Sequence, residues 1–322
     1  MLGRIFFVFL LVFLWGLGAS SQGIVVLRPG ESIQEAIDRA QTGSLILLRD
    51  GVWQENVRVS KDLVIVGEGA VISSKEPNTA VIEVRGKASV SLIGLTLRGG
   101  YATEDCPNFR LPCGAGVGVL DDAEVTLIEC ELTDNERGLE ALGHSRVVLI
   151  GCSVHGNRAE GAYTRDESSL EALETTFGPH NRHGIFVMDR SRAVIHSCLF
   201  TRDQLEIWIW EEGAVFVSNS RFQGEARKEI GIWADLESRF TLVKVTIRGY
   251  GVGIVAGDSA VGKLQGVEVE GCQLGVAEHT CYCGFVFAPC AFYGRLEGEI
   301  TLRGNEADTC PPEGWEGLEI ER

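Results

Sequence analysis

"SRVVLIGCSVHGNRAEGAYTRDE", residues 145–167, contains three short strand signals and no hairpin. Val147 and Leu149 alternate with Val148 and Ile150, and Gly151 makes a one-residue kink. Ser153–His155 reads as a second short strand, a polar turn follows at Gly156–Asn157–Arg158, and Gly161 leads a third strand. The same order recurs in "AEVTLIECELTDNERGLEALGH" (123–144), "SSLEALETTFGPHNRHGIFVMDR" (168–190), "SRAVIHSCLFTRDQLEIWIWEE" (191–212), "GAVFVSNSRFQGEARKEIGIWADLE" (213–237) and "SRFTLVKVTIRGYGVGIVAGD" (238–258), each 21–25 residues long. Aligned this way, Leu95, Cys130, Cys152, Thr175, Cys198, Ser220, Val245 and Val267 fall at one equivalent position.

The order of the three strands never inverts, so the repeats cannot be hairpins. A chain wound as a coil stacks each strand in parallel on its counterpart one turn below, at rungs ~4.8 Å apart. Equivalent side chains then form ladders, and each coil buries its interior against its neighbours. The pattern predicts an all-β fold: a single-stranded, right-handed parallel β-helix with three short strands per coil of ~22 residues. A β-propeller needs a period about twice as long.

An open solenoid end needs a cap. "SIQEAIDRAQTG" (32–43) predicts an amphipathic capping helix, with Ile33, Ala36, Ile37 and Ala40 on one face, Ser32 as N-cap and Gly43 as stop. Before it, Arg4, the apolar run Ile5–Trp15 and the small residues Ala19 and Ser21 read as a secretory signal peptide covering residues 1–21. The expected organisation is that signal, a β-helix domain over 22–305 and a tail over 306–322. No later segment is apolar enough to span a membrane. The mature protein is expected to be secreted or periplasmic.

The chain of 322 residues has a formal charge of −16, which argues against nucleic acid as a partner. It also opposes an acidic polysaccharide unless cations bridge the repulsion. Gly is abundant at 40 and Pro scarce at 8, as turn-rich β structure requires.

The opening "SIQEAIDRAQTGSLILLRDGVWQENVRVSKDLVIVGEG" resembles the start of pectin methylesterases and other proteins of the pectin-lyase fold. The repeats resemble the right-handed β-helix region of carbohydrate-active enzymes and of NosD-type periplasmic proteins. The resemblance implies a polysaccharide groove along the sheet of Gly-led strands. It is poor evidence for any one activity, since one fold hosts many.

"QLEIWIWEEG" (204–213) puts two of the six Trp residues opposite an aliphatic face. If Ile185 and Val187 point in, successive coils turn out Tyr163, Phe186, Trp208 and Trp233 as a column, with Trp210 beside it. Such a track is expected to stack on the apolar faces of sugar rings. Glu140, Arg165, Asp189, Glu206 and Asp235 are expected to supply the polar neighbours that sugar hydroxyls need. A loop over 99–116, the tail around Trp315 or a second copy could instead cover the stripe.

A glycosidase needs two carboxyl groups ~5–9.5 Å apart. Asp121-Asp122 with His144 one coil later resembles the paired Asp and following Gly-His of polygalacturonase-type enzymes, whose Asn-Thr-Asp and Arg-Ile-Lys stretches have no match here. Glu140 and Glu206 are a second candidate set; a raised pKa at Glu206 would need a dry groove. Asp166, Asp189 and Asp235 could hold Ca²⁺, with Arg165 or Arg190 as base, as in a lyase. The nucleophile motif of pectin methylesterases is missing, since "HGIFVMD" has no acid inside it. His180 and His183 share a turn without an obvious third metal ligand.

Of the ten Cys residues, Cys130, Cys152 and Cys198 are expected in the buried ladder. Cys106 and Cys113 flank a short loop and are expected to pair. Cys281, Cys283, Cys290 and Cys310 are expected to form disulfides rather than a zinc site, and Cys272 has no obvious partner. The functional expectation is a protein that binds a polysaccharide or glycan along the Gly-led sheet, as a glycoside hydrolase or polysaccharide lyase. The alternative is a non-catalytic structural, adhesion or NosD-like accessory protein.

Overall fold

Each strand buries alternate residues, and each kink uses a backbone conformation that only one residue must adopt. At the first kink Gly94, Glu129, Gly151, Glu174, Ser197, Asn219, Lys244 and Gly266 all have φ between 49° and 65°. The residue after each is the ladder position noted above, and all eight of those side chains are buried. A left-handed residue costs little for glycine and more for the others. At the non-glycine kinks the N–H still donates to the following coil, as from Glu129 to Ile150 O and from Glu174 to His196 O.

The computed structural model describes residues 23–106, 111–225, 228–257, 259–278, 294–310, 315 and 317–322. The signal-peptide segment lies outside them. Every strand pair stacks in parallel. The third strand of each coil builds an 11-stranded sheet running from Val57–Val59 to Ala307–Cys310. The first and second strands build the remaining walls. The interior is a continuous column of apolar side chains, including Phe177, Phe200 and Phe222, whose rings stack at 5.1 and 4.5 Å.

The helix Ile33–Arg39 closes the N-terminal end, burying Ile33, Ala36 and Ile37. Ser32 caps it as expected, its hydroxyl accepting from Glu35 N at 3.1 Å. Glu55 adds a cap from the next coil, accepting from the backbone N–H groups of Ile33 and Gln34 at 2.8 and 3.1 Å. Lys61 donates to the carbonyls of Ile37, Asp38 and Ala40 at the other end. Strands Ala307–Cys310 and Leu318–Glu321 stack on the coils before them. The ladders therefore run past residue 305, into the stretch expected to be a tail. Among the described residues no helix is long and apolar enough to cross a membrane.

Candidate functional site

The outer face of the 11-stranded sheet carries the expected column. Gly118, Glu140, Tyr163, Phe186, Trp208 and Trp233 are paired rung to rung. Ile185, Val187, Ile207 and Ile209 point into the core. The rings, however, face one another. Phe186 and Trp208 stack at 4.4 Å and 9°, and Trp208 and Trp210 at 5.6 Å and 13°. Tyr163 and Phe186 are buried, and Trp208, Trp210, Trp233 and Met188 are half-buried. With Leu120 and Leu142 most of these rings form a second apolar cluster outside the solenoid. Flat stacking of sugars on an open aromatic track is therefore corrected: rungs ~4.8 Å apart hold neighbouring rings near contact distance, so ring faces are spent on each other.

At the N-terminal end of this column a charged cluster takes over. Arg137 Nε donates to Glu160 Oε2 at 2.6 Å, and its NH1 lies 3.3 Å from Glu140 Oε2. His183 Nδ1 lies 3.2 Å from Glu160 Oε1. The Arg137 guanidinium sits over the Tyr163 ring at 4.9 Å. Glu140 is fully buried and its Oε1 has no hydrogen-bond partner. Loss of hydration, only partly offset by Arg137, pushes the Glu140 carboxyl up to about 7. Burial also opposes ionisation of Glu160, but His183 and Arg137 outweigh it and hold its pKa low. Two carboxyl groups sharing one arginine are thus driven apart in acidity, a pattern found at acid–base centres.

Sequence reasoning found Glu140 but missed Arg137, Glu160 and His183 as a set. The signal was present: "RGLE", "EGAY" and "HGIF" place these three residues just before the Gly of successive Gly-led strands.

Glu206 is not on the outer face. Rung pairing skips the second residue of these strands, so that Leu205 pairs with Ile230 and Ile207 with Ile232. That residue is Gly138, Gly161, Gly184 and Gly231 in other coils, where the chain bends inward. A Cβ on Gly184 would fall 2.6 Å from a neighbouring backbone carbonyl oxygen. Glu206 occupies this bend, fully buried, with Oε1 accepting from Tyr250 OH at 2.9 Å and from Asp203 N at 3.2 Å. Its Oε2 has no partner. Burial, then the nearby Asp203, raise its pKa well above the usual carboxylate range. The expected Glu140–Glu206 pair is therefore corrected: strict alternation fails at the bend, and the two acids lie on opposite sides of the wall.

Asp203 ends a buried ladder. Asn135 N and Nδ2 donate to Asn157 Oδ1, Asn157 does the same to Asn181, and Asn181 donates twice to Asp203 at 2.7 and 3.0 Å. Burial pushes Asp203 up to about 7, against the hydrogen bonds from Asn181.

The remaining candidates lie at turns. Asp121, Asp122 and His144 are exposed. His144 Nδ1 is 3.5 Å from Asp122 Oδ1 and its Nε2 is 3.6 Å from Glu167 Oε2, a loose surface string. Asp121, Asp166 and Asp189 each accept a backbone N–H from the preceding coil, from Gly86, Gly143 and Asp166 respectively. Asp189 also takes Arg165 Nε at 3.1 Å, and Asp235 takes Trp233 Nε1 at 2.6 Å. Asp166, Asp189 and Asp235, the donors expected to hold Ca²⁺, each accept through Oδ2, and no group of three metal-ligating side chains occurs among the described residues. Arg165 is thus paired with Asp189, and Trp233 with Asp235. Cys106 and Cys113 are disulfide-bonded, and so is Cys310. Cys281, Cys283 and Cys290 lie outside the described residues. Cys130, Cys152, Cys198 and Cys272 are buried free thiols.

Residues 80–230 match the family described as right handed beta helix region. The fold is a right-handed parallel β-helix. No curated protein matches the chain. Among solved structures it is similar to an alginate lyase from Paenibacillus sp. str. FPU-7, with 14% identity over 93% of this chain and 99% of that one, TM-score 0.58. It is similar to the periplasmic alginate epimerase AlgG, with 14% identity over 94% and 83%, TM-score 0.58. It also resembles the A-module of the Azotobacter vinelandii mannuronan C-5 epimerase AlgE4, with 13% identity over 95% and 96%, TM-score 0.54. At these identities the shared feature is the coil, not the chemistry.

Proposed function

We propose that this β-helix protein is extracytoplasmic and acts on a polysaccharide at the outer face of its 11-stranded sheet, with the Arg137–Glu140–Glu160–His183 cluster as its acid–base centre. The observation that carries the reading is the pair of carboxyls held by Arg137, with Glu140 pushed up to about 7 and Glu160 held low. Near neutral pH such a pair offers one proton donor and one ionised partner. Arg137 keeps 21% of its side chain exposed and is the member a ligand meets first. A sugar carboxylate or hydroxyl engaging it would loosen its hold on Glu140 and keep that acid protonated. Placement outside the cytoplasm is supported by the signal-like first 21 residues and by the disulfides at Cys113 and Cys310.

The test is turnover of alginate, polygalacturonate and α-1,3-glucan, followed both as new reducing ends and as unsaturated product. Glu140→Gln should abolish turnover without lowering the melting temperature. The mutual stacking of the rings supports a second reading, a non-catalytic binding or adhesion solenoid whose outer cluster is only a second core. That reading gains if all three polymers are left intact while one of them still binds.

A further inference from the structure

A sheet with one wet side alternates apolar and polar residues along each strand. The first strands of the coils break this rule: "SLILL" (44–48), "LVIVG" (63–67) and "RVVLI" (146–150) are apolar on both sides. Their inward residues, such as Ile46, Ile65 and Leu149, belong to the core, and their outward residues do not. One outward column runs Val26, Leu47, Val66, Ile93, Ile128, Ile150, with an aliphatic side chain on every coil. Beside it a second column carries Ile24, Leu45, Val64, Val148, Val194 and Phe216, interrupted by Ser91, Thr126 and Glu171. Ile24 is 69% exposed, Val26 and Val194 46%, and Phe216 40%. The others are half-buried, except Ile93, which is buried. The adjoining wall of second strands keeps the rule, with Thr96, Glu131, Ser153 and Thr176 in an outward column.

An apolar sheet face of this extent favours contact with another surface. From Ile24 to Thr241 the pairing is continuous over ten rungs, so no bulge raises a ridge on it. The face is ~43 Å long at ~4.8 Å per rung and ~16 Å wide for a five-residue strand. Two such faces in contact bury ~1,400 Å² together, which is the size of a stable protein interface.

Charge at the two edges points to a second copy and to its orientation. Arg146 and Arg192 stand at strand starts, Glu174 stands at a kink on the opposite edge, and all three are exposed. None of them has an ion pair among the described residues. A twofold axis along the solenoid sets the start edge of one copy against the kink edge of the other. Glu174 is one rung from each arginine, so it falls between Arg146 and Arg192 of the second copy. To either side like charges meet, Glu124 with Glu129 and Arg239 with Lys244, so the favourable pairs are confined to the middle of the face. A twofold across the solenoid instead sets start edge on start edge, arginine beside arginine.

We infer that two copies of this chain pack side by side, pointing the same way, through the outer sides of their first-strand sheets. The outer face of the 11-stranded sheet is a different wall and stays uncovered, so the inference is independent of the proposed activity.

Sedimentation velocity of the purified protein, expressed from the whole chain, tests it between about 0.1 and about 100 μM, since interfaces of this size give micromolar or tighter dissociation constants. A dimer is expected. Val148→Glu together with Val194→Glu should weaken it on the order of 100-fold or more, because like charges then face each other across the interface. Glu171 already stands between these two positions in the column, so glutamate there suits the coil, and a wild-type circular dichroism spectrum checks folding. Glu174→Arg should also weaken the dimer, and adding Arg146→Glu and Arg192→Glu should restore it. A monomer at every concentration overturns the inference, and if that monomer binds phosphatidylcholine vesicles, lipid is the occupant of the face. A dimer that survives the paired glutamates uses another surface and overturns it equally. A dimer that the glutamates break but the charge swap does not restore refutes the parallel arrangement.

Discussion

Tyr250 donates its phenolic hydrogen to Oε1 of Glu206 across 2.9 Å inside the solenoid, at a bend where the coils on either side carry Gly184 and Gly231 in place of Glu206. Asp203, 1% exposed, lies beside them and closes the asparagine ladder with an acid. Two buried acids without a basic partner within hydrogen-bonding reach hold their protons, because burial penalises the charged form. Folded pKa values above the unfolded ones mean that the contribution to stability is complete below the unfolded pKa, about 4, and is lost as pH rises through the folded value. For Asp203 the loss is complete at about 7. Asp203→Asn, which restores the ladder residue, should therefore gain on wild type by up to ~3 kcal/mol as pH rises from about 4 to about 7. Melting curves across that range check it, and parallel curves for the two proteins would refute it.

Glu206→Gln keeps an acceptor for Tyr250 and removes the titrating proton. Its melting temperature should exceed wild type at pH 8 and match it in mild acid. Tyr250→Phe should cost ~1–3 kcal/mol at all pH values, since it deprives a buried carboxyl of its donor. Chemical denaturation at two pH values separates the two effects.

On the outer face, Glu160 contributes to the raised pKa of Glu140 and competes for Arg137. Glu160→Gln should move the Glu140 titration below about 7, because Arg137 then has one carboxylate to serve. Carboxyl-carbon NMR titration reads this directly, and a midpoint that rises instead would show that Arg137 is positioned by Glu160 and lost with it.

Trp208 gives one face to Phe186 at 4.4 Å and packs on Trp210 and Trp233. Trp208→Ala should cost ~2 kcal/mol of stability, below the value for a fully buried ring because the indole is half-buried. Any loss of saccharide binding must be compared with that destabilisation, so Trp208→Phe, which keeps a stacked ring, is the control.

Burial pushes the thiol of Cys130 up to about 12 and those of Cys152 and Cys198 up to about 11. None of the three should react with iodoacetamide at pH 8 in the native protein, and all three should react once it is unfolded. Peptide mass mapping checks each position separately.

The period of "SRVVLIGCSVHGNRAEGAYTRDE" determined the coil, because three strands in fixed order admit only parallel stacking. It also determined the register, and so the column Tyr163–Phe186–Trp208–Trp233 and the buried thiol ladder. Ser32 as helix cap followed from local chemistry alone. What the repeat could not supply was the direction of side chains at the bends. Glu206 alternates correctly with Trp208 in sequence yet turns inward, since the residue at that bend is skipped by the rung pairing. Nor could it show that the rings face each other, that Arg137 joins Glu140 to Glu160, or that Pro112 rests on Gly118. Those facts depend on contacts between coils 22 or 23 residues apart and between a loop and a sheet. Periodicity fixes which rung a residue occupies; packing across rungs decides whether its polar atoms meet solvent, a partner or nothing.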